Sequence, residues 1–203
     1  MSEPRLEEIE LMHPMDHQPF SSPEWVYEFK WDGYRVIASK NGLLTRQKED
    51  ATTWFPEIAE PLQTLRGSFI VDGEVCLLDE RGVPNFEAMR GRVRRRESGD
   101  FVTFCVFDLL FRDGRDLRPL ALIERKELLR KLVPKDHPRL KYVEHLAERG
   151  LEMFKFATSA GMEGIVGKRA DSAYEGKRSR MWLKMKQAGF HDGWERPTRR
   201  EPA

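Results

Sequence analysis

A chain of 203 residues with 39% hydrophobic and 34% charged side chains describes a soluble globular protein with a real core and a well-charged surface. Thirty-five Lys and Arg against 34 Asp and Glu leave a formal charge of +1, so the overall balance names no partner. No apolar run approaches the roughly 18 residues that a membrane-crossing helix requires, and the acidic stretch from Met1 to Glu10 does not read as a leader, so a cytoplasmic protein is expected.

Residues 1–24 carry Pro4, Pro14, Pro19 and Pro23 among polar side chains and are expected to form an irregular lead-in. His13 and His17 have i,i+4 spacing, but Pro14 between them spoils a helix, and no Cys/His zinc spacing is present. From Trp25 to Gln47 the pattern predicts a β-meander. Trp25, Val26, Tyr27 and Phe29 lead to an Asp32-Gly33 hairpin turn; Tyr34 to Ala38 follows, and Asn41-Gly42 turns the chain into Leu43 to Gln47. Lys30 stands near the first strand's end, and Arg46 would return near it. Taken alone, Lys30 fits either an exposed lysine beside a surface hairpin or a nucleophilic amine kept partly neutral by nearby cations or burial.

Asp50 is placed to cap a helix from about Ala51. Phe55, Ile58, Ala59, Leu62 and Leu65 form its buried side, and Pro56 fits only near its start. After Gly67, Phe69 to Leu78 reads as a strand interrupted by Asp72-Gly73-Glu74. Carboxylates are costly to bury unpaired, so either these two face water from a sheet edge or Glu74 points into a site holding a metal or a sugar hydroxyl. Residues 79–82 form a turn. Residues 84–97 read as helical and end in Arg90, Arg92, Arg94, Arg95 and Arg96, a run that fits a phosphate backbone or a solvated face.

Phe101 to Phe111 is a strand carrying Phe107 and Asp108, closing at Asp113-Gly114. Cys76 and Cys105 lie in apolar β-like runs and read as buried thiols, with a disulfide left open. Leu120 to Val133 is an amphipathic helix with Leu122, Leu129, Leu132 and Val133 on one side and Glu124, Lys126, Glu127 and Lys131 on the other. A short strand at Leu140 to Val143 precedes a helix over 145–160 with Leu146, Leu151, Phe154 and Ala157 at helical spacing. An apolar strand bracketed by Glu163 and Lys168 follows. Period-2 alternation in Met181 to Lys186 puts Trp182, Lys184 and Lys186 on one face, where two ammonium groups need an anion between them. It turns Leu183 and Met185 to the core.

Five segments stand in order: Lys-x-Asp-Gly-x-Arg at 30–35, Asp-Gly-Glu at 72–74, Phe-Asp-Leu-Leu at 107–110, Glu-Gly-Ile-Val-x-Lys at 163–168 and Trp-Leu-Lys-x-Lys at 182–186. Together they resemble the nucleotidyltransferase motifs of ATP-dependent DNA ligases and mRNA capping enzymes. Glu-Phe-Lys-Trp-Asp-Gly-Tyr-Arg over 28–35 is most similar to the bacterial and archaeal ATP-dependent DNA ligases, and the likeness spans roughly residues 10–190.

The resemblance implies an α+β, ATP-grasp-like DNA ligase nucleotidyltransferase fold, with antiparallel sheets packed with helices around a nucleotide cleft. The adenylation domain would occupy 25–190, between the lead-in 1–24 and a polar tail 191–203. Lys30 would attack the α-phosphate of ATP, making lysyl-AMP and releasing pyrophosphate. Glu74 would contact the ribose and, with Glu163, hold Mg²⁺ or Mn²⁺; Phe107 would stack on adenine. Lys184 and Lys186 would lie on the α-phosphate, and Glu28, Arg35, Arg46 and Lys168 would line the nucleotide. AMP would then pass to a 5′-phosphate in nicked or broken double-stranded DNA, gripped by Arg90 to Arg96, and a 3′-hydroxyl would seal the break at a bacterial or archaeal nucleoid.

Family ligases normally continue into an OB-fold domain. About 17 residues follow Lys186, too few for a five-stranded barrel, so the expectation is an adenylation domain alone, with a separate OB-fold or DNA-repair protein as partner. Two alternatives stand beside this: an RNA ligase or guanylyltransferase, taking RNA ends or GTP, and a non-catalytic module that binds nicked or ended DNA.

Overall fold

The structure is a computed structural model that describes residues 3–95 and 102–187. Two sheets dominate. The first has five strands in the order β1 (His13–Asp16), β11 (Arg178–Lys186), β10 (Gly164–Arg169), β2 (Trp25–Phe29), β9 (Leu146–Ala147). The second has six: β4 (Gly42–Thr45), β3 (Tyr34–Ser39), β5 (Phe69–Leu77), β6 (Val102–Arg112) and β7 (Arg115–Asp116), with β8 (Leu140–Tyr142) running parallel to β6. Pairing is antiparallel except at the β1–β11 and β6–β8 contacts.

Alternation along the strands decides what each face buries. Val36, Ala38, Val71, Val75, Phe104 and Val106 point to one side of the six-stranded sheet. There they meet Ile58 and Leu62 of α1 (Pro56–Thr64), Met89 of α2 (Phe86–Arg95) and Leu129 and Leu132 of α3 (Leu122–Leu132). α4 (Gly150–Ser159) covers one face of the five-stranded sheet through Met153 and Ala157, against Tyr27, Ile165, Leu183 and Met185. Met12, Ile37, Ile70, Leu110, Tyr174 and Trp182 form a third cluster joining the two sheets. Each such large apolar side chain contributes about 1.5–3 kcal/mol on burial.

Asp32-Gly33 is not a hairpin: β2 pairs β10 and β9, β3 pairs β4 and β5, and the chain crosses between sheets at residues 30–33. Gly33 is required there by space, because a Cβ would lie 2.2 Å from the Val75 carbonyl oxygen. A hairpin does join β3 to β4, but its two loop residues are Lys40 and Asn41, with Gly42 already in β4 opposite Ser39; Asp113-Gly114 joins β6 to β7 with both residues at positive φ, 46° and 83°, as a two-residue hairpin of right-handed twist needs. The lead-in is not all irregular. Residues 13–16 form β1, and Ile9, Leu11 and Met12 are buried.

The helix after Asp50 starts at Pro56. Asp50 instead accepts from Thr52 N–H at 2.9 Å, while the five apolar positions expected to be buried are so. The 145–160 segment divides into β9 and α4, and Leu151 is exposed. Asp72 is fully buried in the interior strand β5, not at an edge. Cys76 and Cys105 are buried free thiols. Residues 96–101 and 188–203, which include Arg96 and the tail 191–203, lie outside the described residues. No described helix is long and apolar enough to cross a membrane.

Candidate active site

Lys30 leaves the end of β2, and its N–H donates to the Gly164 carbonyl at 3.0 Å. The β2–β10 pairing therefore fixes it beside Glu163, the residue just before β10. The Lys30 ammonium contacts Glu163 Oε2, and the Lys186 ammonium lies 2.9 Å from Oε1 of the same carboxylate. The Glu163 side chain is 2% exposed and those of the two lysines 19% and 18%, so the carboxylate is the buried end of a cluster open to solvent on its cationic side. β11 brings Lys186 there by pairing it with Gly164.

Lys184 shares that face, as alternation requires. Its ammonium is 3.2 Å from Asp16 on β1, with Arg178 at 3.7 Å from the other Asp16 oxygen. The anion between Lys184 and Lys186 that charge repulsion called for is thus two separate carboxylates, Asp16 and Glu163.

From the facing sheet, Arg35 on β3 makes a two-pronged contact with Asp72 on β5, at 2.8 and 3.1 Å, and donates to the Met12 carbonyl at 2.7 Å. Tyr174 donates to the same Asp72 at 2.7 Å. Asp72 anchors Arg35, which is held well above the ordinary arginine range because Asp72 outweighs burial. Glu74 lies opposite Arg35 in the β3–β5 register. Burial pushes its carboxyl up to about 8 against the pull of Lys30 and Arg35, and the carboxylate makes no hydrogen bond with a described residue.

Phe107 is part-exposed on an otherwise buried stretch of β6. Trp182 stands edge-on to it at 6.0 Å, and the Lys168 ammonium lies 4.3 Å from the Phe107 ring centre and 4.2 Å from that of Trp182. Lys168 is also 2.6 Å from Oε2 of Glu28, and both side chains are 2% exposed. Glu28 Oε1 takes a hydrogen bond from Lys126. Burial would raise the Glu28 carboxyl, but Lys126 and Lys168 outweigh it and hold it below the usual carboxylate range.

The structure gathers Glu28, Lys30, Arg35, Glu74, Phe107, Glu163, Lys168, Lys184 and Lys186 along the facing sides of the two sheets. Arg46 is exposed, and only its backbone touches this group, donating to the Arg35 carbonyl at 3.1 Å.

The basic run on α2 needs correction. Arg92 is 4% exposed, donates to the Trp54 carbonyl at 3.0 Å and pairs with Glu57, so it ties α2 to α1 rather than facing a partner. Arg94 and Arg95 are exposed, and Arg90 is bound to Glu87 at 2.7 Å.

Sequence reading put Lys126 on the solvent side of α3. In fact Arg125 and Lys126 are both fully buried, Arg125 on Asp108 at 2.8 and 2.9 Å and Lys126 on Glu28. The signal was legible: Leu122, Arg125, Lys126, Leu129 and Leu132 occupy i, i+3, i+4, i+7 and i+10, one helix stripe.

Residues 12–186 match the family described as ATP dependent DNA ligase domain. The chain is 37% identical over 180 residues to the SPbeta prophage-derived DNA ligase-like protein LigB of Bacillus subtilis, covering 86% of this chain and 65% of that protein. It is 38% identical over 170 residues to the multifunctional non-homologous end joining protein LigD of Pseudomonas aeruginosa, covering 80% of this chain and 20% of that one. Among solved structures, the ligase domain from M. tuberculosis LigD superposes with a TM-score of 0.76 at 31% identity, over 90% of this chain and 62% of that one. A mycobacterial DNA ligase D complexed with ATP and MES gives 0.75 at 30%, over 90% and 61%. The chain thus spans only part of each of these relatives, and by the match over 12–186 it belongs to the ATP dependent DNA ligase domain family.

Proposed function

We propose that this chain carries out the adenylation step of an ATP-dependent DNA ligase, with Lys30 as the nucleophile. The observation that carries the reading is the shared carboxylate: one buried Glu163 holds the ammonium groups of Lys30 and Lys186 side by side. A lysine attacks only as the free amine, so its proton must leave first, and the base in contact with it is Glu163 Oε2. The Lys30 nitrogen then forms a bond to the α-phosphorus of ATP, the bond from that phosphorus to the bridging oxygen breaks, and pyrophosphate departs with the electron pair. Lys184 and Lys186 stabilise the charge that builds on the α-phosphoryl oxygens. Phe107, the part-exposed ring of its strand, offers a face for the base, and Arg35, fixed by Asp72, reaches toward the sugar and phosphates.

A hard divalent cation such as Mg²⁺ fits the donor set. Among the described residues no three His, Cys, Asp or Glu side chains cluster as a metal cage, whereas Glu74 is an acid without a hydrogen-bond partner beside Lys30. Mg²⁺ commonly takes one or two carboxylates and completes its shell with phosphates and water. Glu74 and Glu163 would hold it, and when bound it would help neutralise phosphate charge.

Transfer of AMP to a 5′-phosphate and closure by a 3′-hydroxyl of nicked double-stranded DNA are proposed for the protein that carries this unit, with any further segment or DNA-repair partner the sealing steps use. The test is incubation with α-labelled ATP, and separately GTP, plus Mg²⁺, followed by denaturing electrophoresis and intact mass. One added AMP on the wild type and none on Lys30→Ala supports the reading. An adduct from GTP alone moves it to the guanylyltransferases, and DNA binding without any adduct reduces it to a binding module.

A further inference from the structure

Four residues from four separate parts of the chain close a circuit of hydrogen bonds between the two sheets. Arg35 of β3 donates through Nη2 to the Met12 carbonyl at 2.7 Å. The Met12 N–H donates to the Tyr174 hydroxyl at 3.0 Å, and that hydroxyl donates to Asp72 Oδ2 at 2.7 Å. Asp72 of β5 completes the circuit by accepting from Nη2 and Nε of Arg35. Met12 precedes β1, and Tyr174 lies between β10 and β11. The circuit therefore ties the strand that carries Arg35 to the segment that leads into Trp182, Lys184 and Lys186. Met12 and Asp72 have no exposed surface and Tyr174 is buried.

Packing does not account for the Tyr174 hydroxyl. Its ring belongs to the apolar cluster of Met12, Ile37 and Leu110, with Trp182 edge-on at 5.7 Å, and a phenylalanine would serve there as well. What the hydroxyl adds is direction. A guanidinium carries five N–H groups in one fixed plane. Three of those on Arg35 go to Asp72 and Met12, and the two on Nη1 have no partner among the described residues. A carboxylate held by Arg35 alone can turn together with it. One that also takes the Tyr174 proton cannot, and the same hydroxyl holds the Met12 peptide that receives the other Arg35 bond. Burial and Asp72 push the phenol well above its ordinary range, so it remains a donor.

We propose that Tyr174, which lies outside all five sequence segments, is a positioning residue for nucleotide binding. Acting through Asp72 and the Met12 peptide, it fixes the plane of Arg35 so that the two Nη1 N–H groups meet the sugar and phosphates of ATP. This rests on the proposed function for placing ATP against Arg35.

The test is titration calorimetry of the full chain with Mg²⁺ and α,β-methylene ATP, an analogue whose α–β bridge cannot break to form the adduct. Tyr174→Phe is expected to weaken binding about tenfold, a coupling of the size found within one hydrogen-bond network. On a Lys184→Ala background it should weaken binding by the same factor, and on an Arg35→Ala background by less than about twofold. A hydroxyl that only held the two sheets together would act alike on both backgrounds. Wild-type affinity in a folded Tyr174→Phe overturns the inference. So does a loss on the Arg35→Ala background as large as that on the wild type. If Tyr174→Phe does not fold, Tyr174→His is carried through the same two backgrounds and judged by the same outcomes. A wild type that binds the analogue and shows this dependence on Arg35, but forms no Lys30 adduct with ATP, overturns the adenylation step and leaves this inference intact. A wild type that binds no analogue overturns both.

Discussion

The Lys30 ammonium lies on Oε2 of Glu163, a residue 133 positions away in the chain, and the β2–β10 pairing is what brings the two together. If Glu163 receives the Lys30 proton, Glu163→Gln keeps the shape but removes the base, together with the charge that holds Lys186 and one of the two carboxylates proposed for Mg²⁺. Positioned proton transfer contributes about 10²–10⁴-fold. Adduct formation at pH 7 is expected to fall by about that factor while Lys30→Ala abolishes it, both followed by labelled AMP on the protein. A Glu163→Gln variant running within a few-fold of the wild type would show that the proton leaves by another route.

Glu74 gives the protein a pH signature. Its carboxyl titrates at about 8 when folded, because of burial, against roughly 4.3 in an unfolded chain. Between those values the folded protein holds a proton that the unfolded chain has released. The stability from this group is complete below about pH 4 and is lost as pH rises through 8. Urea denaturation at pH 6 and pH 9 should show the wild type weakening by on the order of 1–2 kcal/mol more than Glu74→Gln over that interval. Parallel curves for the two proteins would mean that Glu74 is already ionised at pH 6.

What the sequence disclosed and what it hid have one physical cause. Alternation put Lys184 and Lys186 on a common face, and helical spacing picked out Ile58, Ala59 and Leu62, because both signals are local. It could not disclose which strand Trp25 to Phe29 joins, since β10 and β9 arrive more than a hundred residues later, and Asp32-Gly33 carries the same letters whether it closes a hairpin or crosses between sheets. Charge misled in a related way. Lys126 and Arg92 look like surface residues until their partners, Glu28 and Glu57, come in from 98 and 35 positions away.

The arginines of α2 should separate into two kinds. Arg92 is inside and paired, so Arg92→Ala leaves Glu57 without its cation and is expected to cost about 3–5 kcal/mol in denaturant titration. Arg94 is exposed, so Arg94→Ala should change stability by less than about 0.5 kcal/mol. If this helix follows a DNA backbone, Arg94→Ala should instead lower the slope of log affinity against log salt by about 1 on nicked duplex. An unchanged salt slope removes Arg94 from the DNA contact.

Two glycines offer a contrast between crowding and backbone strain. Gly33 has no left-handed φ, but its Cα faces β5, where a methyl group would sit 2.2 Å from the Val75 oxygen and 2.9 Å from its carbonyl carbon. Backbone in an interior strand cannot swing aside as a flexible side chain does, so Gly33→Ala must push the residue 30–33 crossing off the sheet. Overpacking typically costs about 1–3 kcal/mol, and here at least about 2 kcal/mol is expected. Because Lys30 stands three residues upstream, its contact with Glu163 should go as well, and adduct formation with it. Gly82 is the reverse case, with φ at 79° and nothing within 4 Å of an added Cβ. Gly82→Ala should cost about 1 kcal/mol of strain and leave the adduct rate untouched. Thermal melts and labelled-AMP rates on the two variants separate these effects, and a Gly33→Ala protein with wild-type rate and melting temperature would show that the crossing can move without disturbing Lys30.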